Sequence, residues 1–262
     1  RECFRNMIDV LDAALFRKMS RKIAKHCDVK NELRKHAGAD VGEVYSPPRM
    51  TQAAKKLGYT PAFSLDLCTG WDLSKPAQQE KAVEMLEELK PWIIIVCPPC
   101  TMFSAVQNLN LHKIDESNAR EKLKEAMAHL AFSSYLCTLQ HKAGRKYLFE
   151  HPTGASSFGT RLLRSLLLRA GGMRVNFDFC RFNMQLPDGL VKKRTTVITN
   201  SAAIEQGLRS MQCRGDHEHA QCLGGARTRQ CQEYPDEFCE FVLKTAMNER
   251  RKIIEGVKQV KG

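Results

Sequence analysis

The chain lacks any apolar run approaching the length of a bilayer span, so no membrane partner is expected. It lacks the charged and then apolar opening of a secretory leader. It lacks a disulfide framework. Its 11 cysteines are odd in number and scattered, which points to a reducing, intracellular compartment, nuclear or cytoplasmic. There is no internal repeat and no low-complexity linker, so the 262 residues, 43% of them hydrophobic, suffice for one large core or one domain with an appendage. The chain is also short of acid. Its 41 Lys+Arg against 29 Asp+Glu leave a net charge of +12, which favours an anionic partner, nucleic acid before membrane. A soluble protein with a merely solvated basic surface has the same balance. The first residue is Arg1, as expected of a piece of a longer polyprotein.

What is present is a helical opening and then an alternation of strands and helices. Phe4, Met7, Ile8, Leu11, Leu15, Met19 and Ile23 recur at three- and four-residue steps, which predicts helix over residues 1–37. Arg17, Lys18, Arg21, Lys22, Lys25, Lys30, Arg34 and Lys35 crowd its second half, as a solvated face or a nucleic-acid patch. Residues 1–40 are therefore expected to form a basic helical extension. Beyond it, strands are predicted at 41–45, 62–67, 92–96, 146–149, 175–179 and 195–199. Helices are predicted at 50–57, 78–89, 117–140 and 161–168, with a terminal helix from 236. This pattern predicts an α/β domain over 41–262, with a mostly parallel sheet covered on both faces.

The run Trp92-Ile93-Ile94-Ile95-Val96 reads as a buried parallel strand, stopped by Pro98 and Pro99. Cys100 follows at its carboxyl end, where ligands and chemistry collect in open α/β sheets. Three readings are open: a core cysteine, a thioredoxin-like dithiol of Cys97 and Cys100, and a nucleophile. The order Pro99-Cys100-x-x-Phe103-Ser104 resembles the proline-cysteine motif of the cytosine-5 methyltransferases. Glu43-Val44-Tyr45-Ser46-Pro47-Pro48-Arg49, then Asp66 with Gly70-Trp71-Asp72-Leu73, then Cys100, then Glu150 follow the order in which that family arranges its parts. The resemblance runs over residues 41–200 and is to a divergent branch of the family.

The resemblance implies a Rossmann-like S-adenosylmethionine-dependent methyltransferase sheet with an N-terminal helical extension, acting on cytosine carbon 5 in DNA or RNA. It gives Cys100 the thiolate that adds at carbon 6, and Glu150 the carboxyl that holds ring nitrogen 3 and the exocyclic amine. His151 stands where the family has asparagine. Glu43, Tyr45, Ser46, Asp66, Asp72 and Pro98 are the implied cofactor-binding residues, Asp66 for the ribose and Asp72 for the adenine. Both aspartates also read as turn or capping residues. Glu150 also reads as a strand-end carboxylate paired with Arg145.

From the family's arginine-rich motif only a basic role carries over, to Lys193 and to Arg194, which is expected at the catalytic centre. Solvated surface charge is the equal alternative. Where the family has Phe-x-Gly-x-Gly, the chain has Tyr45-Ser46-Pro47-Pro48-Arg49, which removes amide donors and adds bulk. A catalytically inactive nucleic-acid-binding module is thus one alternative, and a C-x-x-C thiol-disulfide oxidoreductase another.

About 35 residues separate Asn200 from the terminal helix, too few for a large base-reading region. They hold a small Cys/His-containing insert at about 205–232. Cys213, His217, His219 and Cys222 lie close together there, either as zinc ligands or as a polar loop contacting phosphate or base.

Overall fold

Strands and helices alternate along the residues described by this computed structural model, which are 2–25, 38–104, 115–222 and 224–260. In chain order they are α1 (Glu2–Lys25), β1 (Val41–Val44), α2 (Arg49–Lys56), β2 (Pro61–Leu65), α3 (Pro76–Leu89), β3 (Ile93–Val96) and α4 (Glu116–Lys142). Then come β4 (Lys146–Pro152), α5 (Arg161–Arg169), β5 (Met173–Asp178), β6 (Gln185–Leu186), β7 (Gly189–Leu190) and β8 (Arg194–Thr199). The chain closes with α6 (Ala202–Arg209), α7 (Gly225–Gln230) and α8 (Asp236–Val260). The helix expected at 26–37, with Lys30, Arg34 and Lys35, lies outside the described residues. Glu150, expected just past the end of a strand, instead lies inside β4, because β8 pairs alongside as far as Pro152.

The main sheet has the order β2-β1-β3-β4-β8-β5. The first four strands are mutually parallel, whereas β8 runs antiparallel to both β4 and β5. This is the expected α/β architecture, with one reversed strand. The chain leaves β1 toward β2 on one side and returns to β3 on the other. Such a reversal opens a crevice at the carboxyl ends of the two central strands.

Each face of the sheet has its own core. In β3 the side chains alternate: Ile94 and Val96 pack with α3, α4 and α5, whereas Ile93 and Ile95 pack with α2, α6 and α8. All four are fully buried, which is why the segment reads as an unbroken apolar run.

α1 joins the first of these cores. Met19 and Ile23 are buried in it, and Asp12 accepts hydrogen bonds from the backbone nitrogens of Arg161 and Leu162 at the start of α5. Arg17, Lys18, Arg21 and Lys22 lie on the exposed face of α1. No described helix is long and apolar enough to cross a membrane.

Candidate active site

The loop after β3 carries the predicted nucleophile. Cys97 extends the pairing by one residue, its backbone nitrogen donating to the Val44 carbonyl at 3.1 Å. Pro98 and Pro99 then end the ladder, and Cys100 opens a short 3-10 turn whose Phe103 is fully buried. Cys100 itself is partly exposed. Burial pushes its thiol above the ordinary range, the nearby Glu150 carboxylate adds to that, and Lys193 opposes it.

His151 fixes this loop from β4. Its Nε2 lies 3.0 Å from the Pro98 carbonyl, and its Nδ1 lies 2.8 Å from Ser157 Oγ. A carbonyl only accepts, so Nε2 must carry the proton and Nδ1 must accept from the serine. Phe103, Phe149 and Phe158 surround the ring. Burial lowers the His151 pKa to about 4, so the imidazole stays neutral.

Glu150, the preceding residue, faces the other side of the sheet. Its Oε2 accepts from Tyr234 Oη at 3.3 Å, and Tyr234 Oη also contacts Cys97 Sγ at 2.5 Å. With the tyrosine proton directed to the carboxylate, the Cys97 thiol donates to the tyrosine oxygen. Glu150 Oε1 is buried with no hydrogen-bond partner among the described residues. Burial raises the carboxyl pKa, opposed by Lys193 and by the hydrogen bond from Tyr234. The structure therefore brings Glu150, Cys97, Cys100 and Lys193 into electrostatic contact. Arg145, the alternative partner for Glu150, hydrogen-bonds Gln140 instead.

The residues expected to hold a cofactor have diverse surroundings. Helix α2 begins at Pro48 with no side-chain cap and no acidic residue in its first turn. Glu43 supplies what is missing: one carboxylate oxygen accepts from the Met50 nitrogen at 3.2 Å, the other from the Thr51 nitrogen at 2.9 Å and from the Thr51 hydroxyl. Both oxygens are thus committed to α2. Tyr45 adopts φ 60, costly for a bulky side chain, and is held there by its nitrogen on the Leu65 carbonyl (2.8 Å) and its hydroxyl on His129 Nδ1 (3.0 Å). Ser46 is buried, its hydroxyl donating to the Pro47 carbonyl. Arg49 donates from Nε to the Tyr234 carbonyl at 3.0 Å and pairs with Asp236 at 2.7 Å.

Asp66 caps the short turn after β2, with Oδ1 accepting from the Cys68 nitrogen at 2.9 Å. The next residue, Leu67, is 75% exposed. Asp72 accepts from the nitrogen and hydroxyl of Ser74 and pairs with Lys75, contacts that lower its pKa. Pro98 contributes its carbonyl to His151.

Arg194 stands elsewhere. Its Nε lies 3.4 Å from buried Asp178 Oδ1, and its Nη2 donates to Gln212 at 3.4 Å. The cation that acts on Cys100 and Glu150 is its neighbour Lys193, whose Nζ lies 3.0 Å from the Cys231 carbonyl and 5.0 Å from the Phe179 ring centroid.

The predicted Cys/His ligands also need one correction. Cys213, His217 and His219 converge, but their fourth neighbour is Cys180; the ligand atoms of these four lie within 4.8 Å of one another. Cys222 instead directs its sulfur to the Arg227 carbonyl at 3.8 Å.

Tyr234 and Cys180 escaped the sequence reading. Tyr234 lies in the link before α8, and nothing local marks it. Cys180 sits in Phe179-Cys180-Arg181-Phe182, an aromatic context that reads as core. No family model matches this chain, and no curated protein matches it.

Proposed function

We propose that this protein is a divergent cytosine-5 methyltransferase acting on nucleic acid, with Cys100 as nucleophile and Glu150 as the carboxyl that holds the base. The observation that carries this reading is the unpartnered oxygen of Glu150 on β4, close enough to act on Cys100 in the loop after the adjacent parallel strand β3. A buried polar atom without a partner costs about 1–3 kcal/mol, which a ligand at that position would offset.

A raised Glu150 pKa suits the role. A neutral carboxylic acid donates to ring nitrogen 3 of cytosine and accepts from the exocyclic amine. It also removes the negative charge that opposes ionisation of Cys100. The Cys100 thiolate then adds at carbon 6, and the electrons of the 5,6 double bond make carbon 5 nucleophilic. Once carbon 5 carries the methyl group, loss of its proton to water and cleavage of the carbon 6–sulfur bond restore the 5,6 double bond and release the Cys100 thiolate. In a duplex the base must leave the stack before carbon 6 is accessible.

The residues fit the nucleoside half of S-adenosylmethionine. Asp66 offers its second carboxylate oxygen to ribose hydroxyls, and exposed Leu67 beside it offers an apolar surface to a purine face. When bound, that cofactor supplies the electrophilic methyl group. The methionine half would meet a loop in which Pro47 and Pro48 have no N–H to donate. The net charge of +12 and the exposed Arg17, Lys18, Arg21 and Lys22 on α1 supply attraction for a phosphate backbone. The dithiol alternative has less support, because Cys97 Sγ is engaged by the Tyr234 hydroxyl and is not left to exchange with Cys100.

The test is covalent trapping. An oligonucleotide containing 5-fluorocytosine, with S-adenosylmethionine, should form an adduct that is lost in Cys100→Ser and kept in Cys97→Ser. Equal loss in both variants would return the segment to a dithiol. Nucleic-acid binding without any adduct would make the protein a binding module.

A further inference from the structure

Residues 211–222 form no helix or strand, and none of them is buried. Its contacts with the core are at its two ends, through Met211 and through Ala220 and Cys222. Its middle lies against Cys180, which is buried in the turn that follows β5.

The geometry around Cys180 is specific. Cys213 Sγ lies 3.4 Å from His219 Nε2 and 3.8 Å from His217 Nε2. With zinc–sulfur bonds of about 2.3 Å and zinc–nitrogen bonds of about 2.0–2.1 Å, a tetrahedral site has a sulfur–nitrogen edge of about 3.6 Å. The two observed edges bracket that value. The Cys180 sulfur completes the group, all four ligand atoms lying within 4.8 Å of one another.

The surroundings favour metal ligation. His217 Nδ1 lies 2.7 Å from an Asp216 carboxylate oxygen, which places the proton on Nδ1 and leaves the Nε2 lone pair toward the sulfur. The Gly215 nitrogen approaches Cys213 Sγ at 3.4 Å, as a donor to a thiolate does. Gly215 has φ 75, the left-handed conformation that lets the chain turn back over the sulfur. The Cys213 nitrogen donates to Asp178 Oδ2 at 2.8 Å, anchoring the first loop ligand to the end of β5.

We propose that Cys180, Cys213, His217 and His219 form a structural zinc site that fastens the 211–222 loop to the turn after β5. Two thiolates and two imidazoles close a tetrahedron and leave no position for water, which marks a structural site and not a catalytic one. The proposal does not depend on methyl transfer. It assigns Cys222 no place in the site.

Elemental analysis of the purified full chain should find one zinc per molecule. Cobalt substituted for zinc should give the absorption of a tetrahedral thiolate site. Cys222→Ala should keep the metal and the cobalt spectrum; Cys180→Ala and His219→Ala should lose zinc. Should Cys180→Ala fail to fold, Cys222→Ala still decides the ligand set. Loss of zinc in Cys222→Ala overturns the assignment. So does folded wild-type protein that contains no zinc and takes none up from a zinc buffer.

Discussion

Glu150 and His151 are adjacent on one strand, both buried and both titratable, yet their environments differ completely. His151 faces the α4 and α5 side and has both ring nitrogens engaged, which fastens the loop that carries Cys100. Glu150 faces the α8 side and keeps one oxygen without a partner. Buried polar groups are as a rule satisfied within the chain, and the Glu150 oxygen is an exception that a bound ligand would complete. Burial acts on both residues but in opposite senses, raising the acid and lowering the base. Both remain uncharged more readily than they would in water.

The contrast can be broken most sharply at Glu150. Glu150→Gln should lower methyl transfer by a factor on the order of 10³, about 4 kcal/mol of transition-state stabilisation, because the amide cannot give a proton to the base or take one from it. Its fold should be no less stable, as measured by denaturant titration. A variant that is both inactive and strongly destabilised would mean that Glu150 is a structural group.

His151→Ala should show the opposite balance. Stability should fall by about 3 kcal/mol through a lost ring and two lost hydrogen bonds. Protease cleavage within 97–104 should increase, and activity should decline only as the loop loosens.

The pH dependence separates the two residues further. The unfolded chain protonates histidine near 6.5, whereas folded His151 resists until about 4. Stability from His151 is therefore present above pH 6.5 and is lost as pH falls, by up to about 3 kcal/mol. Glu150 has the opposite slope. Its folded pKa lies above the usual 4.5, so the folded state keeps its proton longer and stability declines as pH rises through that interval. Glu150→Gln should steepen the net rise of stability with pH, and His151→Ala should flatten it.

The smallest effect should be at Tyr234. Tyr234→Phe removes a hydroxyl shared by Cys97 and Glu150, at a cost of about 1 kcal/mol. It should also raise the Glu150 pKa further, visible in the carboxyl stretch by difference infrared spectroscopy.

The parts that could be read from the sequence were those governed by periodicity. The Ile93–Val96 run and the spaced apolar residues of α1 and α3 identify buried faces without further context. The reversed direction of β8 could not be read, because a strand's composition does not encode its polarity. Glu43 lies in a motif position, but its role is set by a helix whose own first turn lacks acid, a deficiency seen only once the two elements meet. Lys193 and Arg194 look equivalent in sequence. Lys193, just before β8, lies near enough to act on Cys100, whereas Arg194, its first residue, turns to Asp178. Tyr234 and Cys180 each act across long separations, beyond any local spacing rule.

The reversed strand also has a consequence for how the molecule is made. β5 pairs only with β8, and β8 also closes the flank of β4. During synthesis β4 and β5 therefore emerge before their common neighbour, and each waits with an open hydrogen-bonding edge. A nascent chain released before Arg194 would leave β4 and β5 each without the neighbour that β8 supplies, and such open strand edges recruit other strands. The last strand to arrive is thus the one that makes the molecule safe from aggregation, and a stop upstream of Arg194 should yield inclusion bodies where the full chain yields monodisperse protein.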